Sequence, residues 1–147
     1  MTHAVRSSLA LACSAVIAGV LVFAAVPKLL DPGSFAADLE NYRVLPEAWL
    51  GPTAVLVPAF ELAVALALLW PRYRRGAALL AALMLGGFAA AMAQARLRGI
   101  DLSCGCFGAA FESKVSWWTV GRSLLLALVA AVPLWLWMKP TDSNRVT

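Results

Sequence analysis

Four long apolar runs, nearly empty of charge, set the pattern of the chain. Ser7 to Pro27 is 21 residues without a charge, and Gly76 to Ala95 is 20 without one. Ala48 to Pro71 is 24 residues with only Glu61, and Val115 to Met138 is 24 with only Arg122. A helix rises about 1.5 Å per residue, so roughly 20 residues cross a hydrocarbon core of about 30 Å. Lipid offers bare backbone no hydrogen bonds, so such runs fold as helices. The pattern predicts an all-α integral membrane protein: a four-transmembrane-helix bundle with spans at about 7–30, 52–71, 76–96 and 116–138, in a single domain over 1–147. Between the first two spans, Asp31-Pro32-Gly33-Ser34 stops one helix and starts another, with Asp or Ser as cap and Pro in the first turn. Phe35, Leu39 and Tyr42 recur at helical spacing, which predicts a short amphipathic helix on the membrane surface. Pro46 and Pro52 bound the connection that follows. Gly86-Gly87 with Ala90 and Ala91 reads as a close helix-packing face.

Composition agrees with the pattern. Of 147 residues, 62% are hydrophobic and 14% charged, too little charge to cover a water-soluble monomer and too much apolar content for a disordered chain. The tryptophans add an independent mark. Trp49, Trp70, Trp117, Trp118, Trp135 and Trp137 all fall near span ends, where a half-wet indole is favoured. The net charge of +4 forms no long basic run, so nucleic acid is not an expected partner and the bilayer is. The first span has Arg6 before it and small residues at Ala24 and Ala25. Its apolar run is longer than a signal peptide's and no clear cleavage site follows, so it is expected to stay as a helix. The compact turn Pro71-Arg72-Tyr73-Arg74-Arg75 places its own side, and with it both termini, in the cytoplasm.

That orientation puts the segment between spans three and four outside the cytoplasm. It carries Ser103-Cys104-Gly105-Cys106-Phe107-Gly108. Two cysteines separated by one glycine can close a tight ring, and a strained disulfide is easily reduced. So short a loop gives little closure entropy, which suits electron exchange better than stapling. Lys28, Arg96, Arg98 and Arg122 fall toward the same face, a polar cluster able to stabilise a thiolate. Cys104 and Cys106 are therefore the candidate catalytic residues. A small structural disulfide, or two idle thiols, is the plainer alternative. No metal is expected, since two thiolates are too few for a closed zinc site and His3, the chain's one histidine, is far off in sequence. Cys13 lies among Ala and Leu in the first span and reads as a small hydrophobe.

Glu61, three residues after Pro58, is an acid in mid-span, where a carboxylate needs a partner or a wet cavity. Lys28 and Arg122 are its candidate partners. The pairing would fix helix packing; alternatively Glu61 and Arg122 would serve a proton relay or hold a quinone, the one candidate cofactor. Gln94 and Arg96, near the end of span three, carry the same two readings.

The pieces Pro27-Lys28-Leu29-Leu30-Asp31-Pro32, Tyr42-Arg43-Val44-Leu45-Pro46, Pro58-Ala59-Phe60-Glu61-Leu62, Arg98-Gly99, Cys104-Gly105-Cys106-Phe107-Gly108 and Ser116-Trp117-Trp118-Thr119-Val120 with Arg122, in this order, resemble the MauE (methylamine utilisation) branch of the DoxX-like membrane proteins. The resemblance runs from about Ser8 to Met138. It implies a four-helix protein of the bacterial cytoplasmic membrane with a redox-associated role. It further implies a thioredoxin-like extracytoplasmic partner and a disulfide-rich client such as methylamine dehydrogenase. The leading expectation is a membrane thiol–disulfide redox protein, a component of thiol–disulfide oxidoreductase chemistry, in which Cys104 and Cys106 cycle. The alternatives are a non-catalytic membrane assembly factor and a DoxX-like quinone-linked oxidase subunit.

Overall fold

The charge-poor runs become helices joined by short turns. A computed structural model describes residues 3–43, 45–99 and 116–138. Among them the regular elements are α1 (His3–Leu30), α2 (Pro32–Asn41), α3 (Glu47–Leu69), α4 (Arg74–Leu97) and α5 (Trp117–Met138). Four are long and apolar enough to cross a membrane, over Ser7–Leu30, Glu47–Leu69, Arg74–Leu97 and Trp117–Trp135. The chain is a multi-pass helical membrane protein. Trp49, Trp70, Trp117, Trp118 and Trp135 are exposed near helix ends, where an interfacial indole belongs.

α3 starts earlier than the proline pattern suggested. Its boundary is Pro46, held extended at ψ 147°, and Pro52 lies inside the helix with Pro58. Each proline removes one backbone donor, a loss that neighbouring helices and local adjustment make tolerable in membrane helices.

The helices close into a ring. α1 packs on α3 and α5, α4 packs on the same two, and α1 barely touches α4. The order around the bundle is therefore α1, α3, α4, α5. One core cluster joins Leu21, Val64, Leu68, Ala81 and Ala130. A second, at the opposite end, joins Met92, Ala95 and Val120, with Tyr42 against them. Early α4 thus meets late α5 and late α4 meets early α5, so the two run antiparallel. α2 packs on α3 and sits at the end where α1 and α4 finish and α5 begins. Alanines at 77, 78, 81, 89 and 95 are all buried, and such small side chains let helix backbones approach closely.

Local chemistry sets the boundaries. Asp31 caps α2, its Oδ1 accepting from the Ser34 N–H at 3.0 Å, with Pro32 in the first turn. Arg74 reaches back across the α3–α4 turn, and its Nε donates to the Leu68 carbonyl at 3.1 Å. A cation there answers the negative end of α3. Ser116 and Thr119 close a reciprocal box at the head of α5. The Ser116 N–H donates to Thr119 Oγ1 at 3.0 Å, and the Thr119 N–H to Ser116 Oγ at 3.4 Å.

α4 ends at Arg98, and Gly99 follows with φ +69°. That left-handed geometry is nearly free for glycine and costs an L residue about 1 kcal/mol. Gly99→Ala is expected to lower stability by about that amount in detergent unfolding. Gly76→Ala, in the first turns of the same helix and with open space around its Cβ, is the control expected to show no loss.

Candidate functional site

The buried polar chemistry of the described residues gathers where α1 ends. Lys28 follows Pro27 in the last turn of α1, and its side chain turns inward between the helices. The Lys28 ammonium donates to both oxygens of Glu61, at 2.8 Å to Oε1 and 3.1 Å to Oε2. Both side chains are 1% exposed. Of the two candidate partners for Glu61, Lys28 makes the pair. The ammonium also lies 5.0 Å from the ring centres of Phe35 and Phe88, within reach of the electron-rich ring faces. A buried charge is tolerable only when paired and hydrogen-bonded. Here each charge answers the other, and two aromatic rings close over the cation.

Arg122 stands on the other side of the pair. It shares the wall of a small cavity of about 30 Å³ with Lys28, Glu61, Phe88 and Ser123. Pairing Lys28 with Glu61 divides the expected polar cluster: Lys28 and Arg122 turn toward the bundle interior, whereas Arg96 and Arg98 are exposed at the end of α4, as is Gln94. Ser14, also buried, is satisfied locally by donating to the Ala10 carbonyl at 2.8 Å.

A larger cavity of about 640 Å³ lies between α2, α3 and α4, with Lys28 on its wall. Gly87 and Ala91 line it. The glycine pair is thus not a close-packing face, as its sequence suggested. A Cβ built at Gly86 or Gly87 meets nothing within 4 Å, so the missing side chains open space instead of admitting a neighbouring helix. Sequence reading also missed Phe88, whose ring closes over the ammonium; nothing distinguishes it from other span residues until α4 is rotated into place.

Cys104 and Cys106, the candidate catalytic pair, lie outside the described residues. The segment that carries them joins Gly99 to Ser116, and both of those anchors belong to the α2 end of the bundle. Cys13 is a free thiol, half-buried in α1.

Comparison with known proteins places the chain among relatives. A family model described as methylamine utilisation protein MauE matches residues 6–136. The methylamine utilization protein MauE of Paracoccus denitrificans is 38% identical over 115 residues, covering 78% of this chain and 62% of the relative. That of Methylorubrum extorquens is 39% identical over 119 residues, covering 80% and 63%. That of Methylophilus methylotrophus is 40% identical over 134 residues, covering 86% and 70%. The chain thus spans somewhat under two thirds of the length of the first two. No solved structure matches it.

Proposed function

Because the chain belongs to the MauE family of methylamine utilisation proteins, we propose that it is a membrane thiol–disulfide redox protein that supports maturation of an extracytoplasmic client. The observation that carries this reading is the Cys104-Gly105-Cys106 spacing. A thiolate at one position attacks a partner disulfide and forms a mixed disulfide. The second thiolate then attacks the bonded cysteine sulfur, leaving a Cys104–Cys106 disulfide here and a dithiol on the partner; the reverse sequence oxidises the partner. In this reading Arg96 and Arg98, exposed at the end of α4 where the cysteine segment begins, favour the thiolate, and Lys28 serves Glu61. The bacterial cytoplasmic membrane, with termini inside and the cysteine segment outside, is the setting in which such a pair meets oxidised proteins. A thioredoxin-like protein is the exchange partner of this reading, and methylamine dehydrogenase is the client that the family's name suggests.

Single Cys104→Ser and Cys106→Ser variants test this. One of them is expected to accumulate a covalent adduct with an extracytoplasmic protein, released by reductant, because the resolving thiol is gone. Alkylation trapping of the wild-type pair should also show its oxidation state shifting when that partner is deleted. No adduct from either variant, with a pair locked oxidised in every background, would instead identify a non-catalytic assembly factor.

A further inference from the structure

A separate groove of about 670 Å³ runs along the outer side of the bundle between α1 and α3. It extends from Ala15 to Pro27 on α1, with Leu69 beside it on α3. Phe23 and Leu66, which also line it, are exposed. Both helices are membrane spans, so this open side meets hydrocarbon. One end lies level with the end of α3. There Ile17 packs in the same core cluster as Leu68, and exposed Trp70 follows the helix, an indole at the interface. By helix rise, Ala15 to Pro27 is about 18 Å, close to the depth of one leaflet of a hydrocarbon core about 30 Å thick. The groove thus starts at the membrane surface and runs about one leaflet deep, the path of a single acyl chain.

The mouth of the groove is basic. Arg72 is exposed in the turn after α3, and three residues of chain, at most about 11 Å, separate its Cα from that of Leu69. Arg74 is drawn back over the end of α3, where its Nε donates to the Leu68 carbonyl at 3.1 Å. That contact fixes a guanidinium one residue from the groove's lining. The chain has no acid between Glu61 and Asp101 and none before Asp31, so α1, α3 and α4 bring no carboxylate to this end. A guanidinium fork matches the geometry of phosphate, and phosphate is the anion a bilayer offers at its surface. A choline or ethanolamine head would carry its own cation toward the arginines. A free phosphate would make no use of the groove. The occupant that satisfies both parts is a phospholipid of net negative charge. We propose that the α1–α3 groove and the α3–α4 turn form one site for an anionic phospholipid, with its phosphate on Arg72 and Arg74 and one acyl chain along α1. This goes beyond the thiol–disulfide reading and does not depend on it.

The test is native mass spectrometry of the full chain released from nanodiscs of equimolar dioleoyl phosphatidylglycerol and dioleoyl phosphatidylcholine. Retention of one phosphatidylglycerol per chain, in preference to phosphatidylcholine, is expected. Arg72→Gln should cut that preference about fivefold, and Arg72→Gln/Arg74→Gln about 25-fold. Arg98→Gln removes the same charge at the other end of α4 and should leave the preference intact. Gly19→Leu projects a side chain into the groove from a position whose Cβ meets nothing within 4 Å. It should lower retention at least about tenfold while thermal unfolding is unchanged or slightly raised. Glycerol 3-phosphate, a head without chains, should not displace the lipid. Equal retention of the two lipids overturns the proposal, as does an equal loss in Arg72→Gln and Arg98→Gln. So does wild-type retention in Gly19→Leu, or displacement by glycerol 3-phosphate. Lipid-free dimers that Gly19→Leu dissociates would overturn it in favour of a second copy of the chain in the groove. The readout contains no thiol chemistry, so its failure leaves the cysteine reading standing, and the converse holds.

Discussion

Lys28→Met alone is expected to leave little folded protein in the membrane. It strands the Glu61 carboxylate at mid-helix without the ammonium that donates to both of its oxygens. Breaking a buried pair from one side costs about 3–5 kcal/mol, a large part of the roughly 5–15 kcal/mol that holds a typical domain together. Glu61→Met is expected to be milder, because Lys28 lies in the last turn of α1 and its long stem can carry the ammonium toward the helix end and water. The double variant Lys28→Met/Glu61→Met should recover most of the loss, since apolar replacement of a whole buried pair is often neutral or stabilising. Yield of monodisperse protein in mild detergent, with thermal unfolding of each variant, gives the double-mutant cycle directly. Singles as stable as wild type, or a double as poor as the sum of its parts, would contradict the pairing.

Replacing both loop cysteines, Cys104→Ser/Cys106→Ser, is expected to abolish disulfide maturation of the client while membrane levels of the protein hold. The two effects separate because a disulfide across one intervening residue constrains the unfolded chain very little. The bundle is held by its packed helices and the Lys28–Glu61 pair, neither of which involves a cysteine side chain. Cys13→Ser, in half-buried α1, is the matched control and should leave maturation intact. The measurements are the alkylation-trapped oxidation state of the client and an immunoblot of the membrane fraction. Full maturation in the double variant would remove the thiol–disulfide reading altogether.

The four spans were legible in the sequence because charge scarcity is a one-dimensional signal that needs no knowledge of packing. The Asp31 cap was legible for the same reason, as a cap bonds only three residues on. The start of α3 was not, because Pro46 and Pro52 are both plausible boundaries and only the backbone at Pro46 decides between them. Glu61 stood out as a mid-span acid, but choosing Lys28 over Arg122 requires the rotation and depth of three helices at once. The cavity was invisible for a further reason. Gly86-Gly87 has the composition of a packing face, and whether small residues admit a helix or leave a void depends on what stands opposite. The Ser116–Thr119 box could have been read from its spacing, as a hydroxyl cap with a reciprocal partner three residues later.

The pair also orders events during synthesis. Lys28 and Glu61 are 33 residues apart, so at about 5–20 residues per second the ammonium emerges roughly 2–7 s before its carboxylate. Throughout that interval α1 holds a cation without its buried partner. Its place in the last turn of the helix lets Lys28 wait at the wet boundary and swing inward once α3 arrives. Glu61 has no such refuge at mid-helix, but it never needs one, because the ribosome delivers it second.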